Sequence, residues 1–318
     1  MRSRVRFALT GTPVENRLGE LWSIFSFLMP GYLPPYKSFC SRFEKPIVQE
    51  EDQTAVRRLN QLTGPFILRR MKADVLKELP PKTENVYRIE LEEEQRKLYL
   101  AAVVDAREKL RAAKPEDKMA VFAVLMRLRE ICCDPRLIAD NWEGGSAKLD
   151  ACVELISGAV EGGHRILLFS QFTSMLELLA KRLDAEGISH FTLQGSTPKP
   201  VRAELVRRFN GGEVSVFLIS LRAGGTGLNL TAADIVIHYD PWWNVAAQNQ
   251  ATDRAYRIGQ QNPVQVYKLI AQDTIEEKIV ELQQAKQSLA DTVTGTADGA
   301  ILSMRPDELL QLLEGSEG

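Results

Sequence analysis

Histidine is scarce in this chain, with three in 318 residues, and the four cysteines (Cys40, Cys132, Cys133 and Cys152) form no C-x-x-C pair. A metal site therefore has little to draw on, and reduced thiols of a cytosolic protein are the expected state. No stretch of 18 apolar residues occurs, so nothing in the sequence reads as a membrane span. The basic start Met1 to Arg6 is followed by too few apolar residues for a signal peptide. Positive charge is not in excess either: 40 Lys and Arg stand against 42 Asp and Glu, a net charge of -2. Contact with nucleic acid would need a local patch, because no global basic field exists. Also absent is any G-x-x-x-x-G-K-[ST] loop, and no Gly-Lys pair occurs anywhere. The sole Asp-Glu pair, Asp307-Glu308, falls in the C-terminal tail rather than after a strand. There is no internal repeat and no low-complexity segment.

The composition that remains, 44% hydrophobic and 26% charged, is that of an ordinary globular protein with room for one large or two smaller domains. Val5 to Leu9 reads as a strand, followed by a turn at Thr10 to Pro13. A strand beginning so near the first residue leaves little lead-in, and the chain is expected to be cut from something longer. Leu18, Leu21, Trp22, Phe25 and Leu28 recur at helical spacing until Pro30-Gly31. A short strand is expected over 85–91. Two antiparallel helices are expected over 93–138, turning at Ala113 to Asp117. From 147 to 290 the pattern changes. Short apolar runs at Ile166–Phe169, Phe191–Leu193, Val214–Ile219, Ile235–Tyr239 and Val264–Ile270 alternate with helical patterns at Met175–Leu183, Val201–Phe209 and Ala246–Tyr256. That alternation predicts an α/β fold with a parallel sheet wrapped by helices. Asp273 with Glu276 has the spacing of a capping box for a last helix running to about Ala290. The tail beyond is expected to be loose, apart from an apolar stretch near Leu309–Leu313.

The chemistry concentrates between 220 and 260. Gly224, Gly225 and Gly227 follow directly on a buried strand, where a loop without side chains can bring N–H groups to a phosphate. Alone, that loop is better read as an ordinary strand exit: Leu230 breaks G-x-G-x-x-G, and no lysine follows. Arg254 and Arg257, three apart, are expected on one face of a helix with Gln250 a turn earlier. Two converging guanidiniums repel unless an anion lies between them, and a polyphosphate would serve. Asp253 and neighbouring acids neutralising a solvated face is the plainer alternative. Tyr239, Trp242 and Trp243 are read as packing residues rather than base-stacking ones.

The run Ser220 to Gln260 resembles motifs V and VI of the Swi/Snf-type ATPases of helicase superfamily 2. Leu9 to Pro13 with Asn16 and Glu20 to Trp22 resembles motif III, and Phe66 to Arg70 with Leu79 to Lys82 resembles the family's connecting block. Leu167 to Thr173 resembles motif IV, and Leu193 to Thr197 with Arg202, Phe209 and Asn210 the block after it. The resemblance covers residues 7 to about 285. Tyr256 departs from the family's usual histidine and Leu221 from its threonine, which puts a hydroxyl contact there in doubt.

The resemblance implies a RecA-like parallel sheet with inserted helical protrusions. Residues 1–82 would end a first domain, 83–290 would form the second with an insertion at 93–138, and 291–318 would be a loose tail. It implies a translocase of double-stranded DNA whose cofactors, ATP and Mg2+, are held mainly by an upstream ATPase half, so that the chain alone would be inactive. Arg254 and Arg257 would be arginine fingers, with Gly224, Gly225, Gly227, Asn229, Gln250 and Asp253 around the nucleotide. Thr10, Gly11, Thr12 and Asn16 would couple that site to the domain interface. Ser170, Gln171, Gly195, Ser196, Arg202 and Ser220 would touch DNA through its phosphate backbone. Implied partners are the DNA, the upstream half and other DNA-bound proteins, with no membrane. The location would be cytoplasmic if the source is bacterial, as the short insertions indicate, and nuclear if eukaryotic. An ATP-independent DNA-binding or regulatory fragment is the alternative.

Overall fold

The structure is a computed structural model, and it describes residues 3–10, 18–50, 52–68, 79–114, 116–139, 141–224, 227–283 and 304–314. The chain divides into two compact units. One comprises Met1–Lys77, Asn244–Ala246 and Leu282–Ala300; the other comprises Glu78–Trp243, Ala247–Glu281 and Ile301–Gly318.

The first unit is helical. Helix α1 (Leu18–Leu28) is followed by α2 (Tyr36–Phe39), which runs through a wide turn into α3 (Lys45–Gln49) and then α4 (Gln53–Thr63). The α1 stripe buries Leu18, Leu21 and Phe25 against Leu33, Phe39, Phe43 and Leu59. Asp52 caps α4 by accepting the Thr54 N–H at 2.7 Å. The segment Val5–Leu9 forms no strand: Phe7 is 83% and Leu9 100% exposed. Apolar β-formers alone do not make a strand. The backbone also needs a neighbouring ladder, and none pairs with this segment among the described residues.

The second unit is built on six strands, all parallel. They are β1 (Lys82–Ile89), β2 (Ile166–Ser170), β3 (His190–Leu193), β4 (Val216–Ser220), β5 (Ile235–His238) and β6 (Val264–Ala271), in the order β1-β6-β5-β2-β4-β3. The expected short strand is therefore β1, an edge strand beginning at Lys82. Between β1 and β2 lie α5 (Glu93–Ala112), α6 (Lys118–Cys133) and α7 (Ala147–Glu161). Next come α8 (Thr173–Ala185), α9 (Lys199–Asn210), the single turn α10 (Leu221–Gly224), α11 (Val245–Thr252) and a helix over 275–283, α12.

Strand alternation feeds two cores, one on each face of the sheet. Ile166 and Leu168 of β2, with Val216, Leu218, Ile235 and Ile237, pack under α7 and α8 through Cys152, Ile156, Leu176 and Leu179. Leu167, Phe169, Phe217, Ile219 and Val236 point the other way, onto Phe209, Ala251 and Ala255. These side chains are almost wholly buried, and truncating one of the leucines or isoleucines to alanine costs about 2–5 kcal/mol.

The last helix is capped one residue later than expected. Asp273 has φ +56°, Thr274 accepts the Glu276 N–H, and Glu277 accepts the Asp273 N–H. Glu276 is thereby freed to turn inward. Its Oε2 accepts the Ala271 N–H at 2.8 Å and pairs with Lys148 of α7, both side chains being fully buried. The tail is not loose throughout. Pro306–Glu314 forms a helix, α13, whose Leu309 and Leu313 are buried and which packs on α5, with Arg107 donating to the Leu313 carbonyl at 2.7 Å. Two leucines at i and i+4 and a bonded C-terminal carbonyl suffice to dock so short a helix.

Breaking a buried pair from one side strands the other charge. Lys148→Met is expected to cost roughly 3–5 kcal/mol in urea unfolding, and the double variant Lys148→Met/Glu276→Gln to recover a large part of that loss. A double variant no more stable than the single one would contradict this assignment.

Candidate functional site

Because all six strands run the same way, their carboxyl ends share one edge of the sheet. Ser170 ends β2 and Ser220 ends β4, and the two are register partners. Leu193 of β3 pairs with Ile219, which places the exposed turn containing Gly195 and Ser196 beside them. Thr197 Oγ1 accepts the Gln194 N–H at 3.1 Å and closes that turn. Arg202 on α9 reaches the Ala223 carbonyl at 3.5 Å. The DNA-track residues expected from the sequence thus occupy successive strand exits.

Two of them turn their hydroxyls inward. Ser170 and Ser220 are 1% and 3% exposed. The Ser170 hydroxyl donates to Asp240 Oδ1 at 2.6 Å, and Ser220 Oγ receives the Ala223 N–H at 3.4 Å. Both side chains are committed to loop geometry, because a buried hydroxyl needs a protein partner. Gln171, by contrast, has a Nε2 shielded from solvent with no hydrogen-bond partner among the described residues.

After β4 the chain passes α10 and Gly224, then returns along Gly227–Leu230; Gly225 lies outside the described residues. Gly227 has φ +47° with open space around it, a conformation a side chain disfavours. The returning loop is clamped from two sides. Asn210, at the end of α9, donates to the Asn229 carbonyl at 2.8 Å and accepts the Ala232 N–H at 3.3 Å. On the other side, the Leu230 N–H bonds the Arg254 carbonyl at 3.0 Å and Arg257 Nη1 donates to the Leu228 carbonyl at 3.0 Å. The glycine loop and the arginine pair are therefore one assembly.

The arginines do not lie on a helix face, as spacing implied. Helix α11 stops at Thr252, leaving Gln250 on the helix, and Asp253–Gly259 form successive tight turns with bonds such as Arg254 N–H to Ala251 O and Arg257 N–H to Ala255 O. Gln260, 6% exposed, fastens these turns. Its Nε2 donates to the Ala233 and Ala255 carbonyls at 2.7 and 3.2 Å, and its Oε1 accepts the N–H groups of Gln261 and Asn262, both at 2.9 Å. A side chain satisfying backbone groups on both flanks holds a turn that no helical ladder supports. Gly259, at φ +99°, supplies the reversal. Burial first, then the Arg257 guanidinium, push Arg254 below its ordinary value, against the opposing pull of Asp253.

Sequence reasoning missed two buried charges. Arg129 of α6 and Asp240 after β5 have side chains 0% and 1% exposed and pair at 3.1 Å. Trp243 covers the guanidinium at 4.2 Å, and Tyr239 donates its hydroxyl to the Cys133 carbonyl at 2.9 Å. Tyr239 and Trp243 are thus packing residues, as expected. A signal was available: Arg129 stands four residues after Leu125, inside the apolar stripe of its helix. Of the coupling residues, Thr10 is exposed, and Gly11, Thr12 and Asn16 lie outside the described residues.

A six-stranded parallel sheet with flanking helices and functional loops at its edge is a RecA-like fold. Residues 1–137 match the SNF2-related domain and residues 147–259 the Helicase conserved C-terminal domain. The chain is 40% identical over 312 residues to an ATP-dependent helicase of Mycoplasma genitalium, covering 96% of this chain and 30% of that protein. It is 37% identical over 329 residues to the mouse SWI/SNF-related matrix-associated actin-dependent regulator of chromatin subfamily A member 1, covering 98% of this chain and 31% of that one. The SWI2/SNF2 ATPase core domain of Sulfolobus solfataricus superposes with a TM-score of 0.63 at 35% identity, over 96% of this chain and 64% of that one. The same core in complex with dsDNA gives 0.59 at 35% identity, over 91% and 63%. The chain belongs to the Swi/Snf-type ATP-dependent helicase family. It spans about a third of the length of the curated relatives it matches.

His238 ties the sheet to the arginine turns, its Nε2 lying 2.8 Å from the Thr252 hydroxyl. Burial foremost, then Lys268 and Lys82 against the opposing Glu84, lower its pKa from 6.5 to about 3. The unfolded chain therefore takes up this proton first. Stability is complete above pH 6.5 and is lost as pH falls toward 3, by roughly 1.4 kcal/mol per pH unit from this group. His238→Gln is expected to flatten that part of the acid limb in urea titrations between pH 7 and 4. An acid limb as steep as the parent's would contradict the burial of a neutral imidazole.

Proposed function

We propose that this chain supplies the arginine-bearing part of an ATP-driven motor that moves along double-stranded DNA by its phosphate backbone. The observation that carries the reading is the Arg254–Arg257 pair, bonded to the backbone of a glycine loop. The Arg254 guanidinium, whose affinity for the proton is lowered by burial and by the charge of Arg257, is relieved by a polyanion, and a triphosphate matches that demand. ATP, when bound, supplies the phosphoryl group. This chain's residues would hold fixed positive charge where negative charge develops, with Gln260 and the Leu228 and Leu230 contacts keeping the turn in place. The sequence carries no phosphate loop with its lysine. Among the described residues no cluster of His, Cys, Asp or Glu is arranged for a metal, so no step is assigned to Mg2+ here. ATP and Mg2+ would be held mainly by an upstream ATPase half, and the chain alone would not hydrolyse ATP. The strand exits at Gln171, Gly195–Ser196 and Arg202 would form part of the DNA track. That assignment is supported by the dsDNA complex of the similar archaeal core.

Joining the chain to a matching upstream half that restores ATPase activity provides the test. Arg254→Ala and Arg257→Ala should each lower turnover by roughly 10³-fold, with poor rescue by lysine, because its point charge lacks the planar fork. ATP affinity and nucleotide-free DNA affinity should change little. Turnover within a few fold of the parent contradicts the catalytic assignment.

The DNA reading makes its own prediction for the unaided chain. With a net charge of -2, duplex binding should be weak, indifferent to sequence and lost between low and physiological salt, since only local contacts release counterions. Fluorescence anisotropy with two unrelated duplexes measures this, and a strong preference for one of them counts against a backbone track.

A further inference from the structure

The loop leaving β2 is fastened by a single carboxylate. Asp240 Oδ1 accepts the Ser170 hydroxyl at 2.6 Å and the Gln171 N–H at 3.2 Å, and Ser170 Oγ in turn accepts the Phe172 N–H at 3.1 Å. Every residue from Ser170 to Phe172 is thus tied directly or through one atom to Asp240. The other carboxylate oxygen, Oδ2, belongs to Arg129 Nη2 at 3.1 Å. Arg129 does not come from the sheet. It stands on α6, and its guanidinium lies between the rings of Trp243 and Phe172, at 4.2 and 5.6 Å from their centroids. Nη2 also reaches the Pro241 carbonyl. Both charges are shielded from water, so neither can exchange its partner for solvent without the loop opening.

A buried carboxylate keeps its charge, and so its full capacity to accept, only while a cation sits beside it. Without Arg129, Asp240 would protonate or turn toward water. In either case the Gln171 N–H and the Ser170 hydroxyl would lose the acceptor that shapes the loop. Gln171 is also the residue at this exit whose side-chain amide donor has no partner among the described residues.

We propose that Arg129, acting through Asp240, is a positioning residue for the β2 exit loop, so that the α5–α6 hairpin sets the geometry with which Ser170–Phe172 meets the DNA backbone. This rests on the DNA-track reading of that loop. It predicts that changes on the hairpin, away from any DNA contact, alter the grip on DNA.

The experiment uses the chain as it stands, with amide hydrogen exchange resolved at Gln171 and Phe172, duplex affinity by anisotropy at low salt, and thermal unfolding. Arg129→Met and Asp240→Asn should raise exchange at both amides by roughly tenfold or more relative to Leu167 and Leu168 within β2. Both should weaken duplex binding several-fold. Arg129→Lys keeps a cation within reach of Asp240 and should restore loop protection and affinity most of the way. A role confined to stability would lower the melting temperature of the lysine variant without such rescue. If the first two variants do not fold, Ser170→Ala removes one bond to Asp240 from an otherwise intact protein, and Phe172 exchange must still rise.

Unchanged exchange at Gln171 and Phe172 in the folded variants overturns the proposal. Faster exchange with unchanged duplex affinity overturns the link to DNA. If the parent chain binds no duplex at low salt, the DNA-track reading itself fails. The exchange measurements then still decide whether Arg129 sets the loop.

Discussion

One buried ion pair, Arg129 with Asp240, fixes more of this molecule than any other contact. Moving a guanidinium and a carboxylate out of water costs several kcal/mol per ion, and the sum is favourable only when geometry and added hydrogen bonds repay it. Here the remaining carboxylate capacity is met by Ser170 and Gln171, and Arg129 Nη2 by the Pro241 carbonyl, with the face of Trp243 over the guanidinium; Nε and Nη1 have no hydrogen-bond partner among the described residues. The consequence is spatial. The α5–α6 hairpin is held against the sheet by this pair and by the bond from Tyr239 to the Cys133 carbonyl, where β2 and β5 end. A second fully buried pair, Lys148 with Glu276, does the same for α7 and the start of α12. The sheet core is apolar and non-directional, so the charges, not the leucines, decide which loop meets which helix.

The same division runs through the candidate site. Six parallel strands bring their carboxyl ends to one edge, and small polar side chains then shape what leaves that edge. Asn210 and Gln260 fasten the glycine loop and the arginine turn without contributing charge of their own. The turn that carries both arginines is fixed at Leu228, Leu230 and Ala233. Burial and the charge of Arg257 together lower the Arg254 pKa in the fold.

How much of this was legible follows from the range of each interaction. Strands β2, β4 and β5 could be read as apolar runs because burial on both faces leaves its mark residue by residue, whereas the edge strand β1 is exposed at all but its last residue. The glycine loop and the arginine pair were legible as residues, and the family resemblance followed from them. Their conformation was not. Asp253–Tyr256 contains no Gly or Pro to signal a break, and the Gln260 side chain that fastens these turns bonds as far away as Ala233. Val5–Leu9 misled for the opposite reason: its composition is that of a strand, and pairing is not written in composition. Ser170 and Ser220 matched the resemblance as motif positions, yet their hydroxyls serve the loops that carry them. Arg129 and Asp240 are 111 residues apart, and no local pattern couples positions so distant.

The central claim is that Arg129 and Asp240 act as one unit on which the strand exits depend. A double-mutant cycle on unfolding free energy tests it most directly, with Arg129→Met, Asp240→Asn and the two combined, measured in urea at neutral pH. The account predicts a coupling of roughly 2–5 kcal/mol, with the double variant much less destabilised than the sum of the single ones. Additive losses, with coupling under about 0.5 kcal/mol, would mean that the two charges sit side by side without holding the structure together.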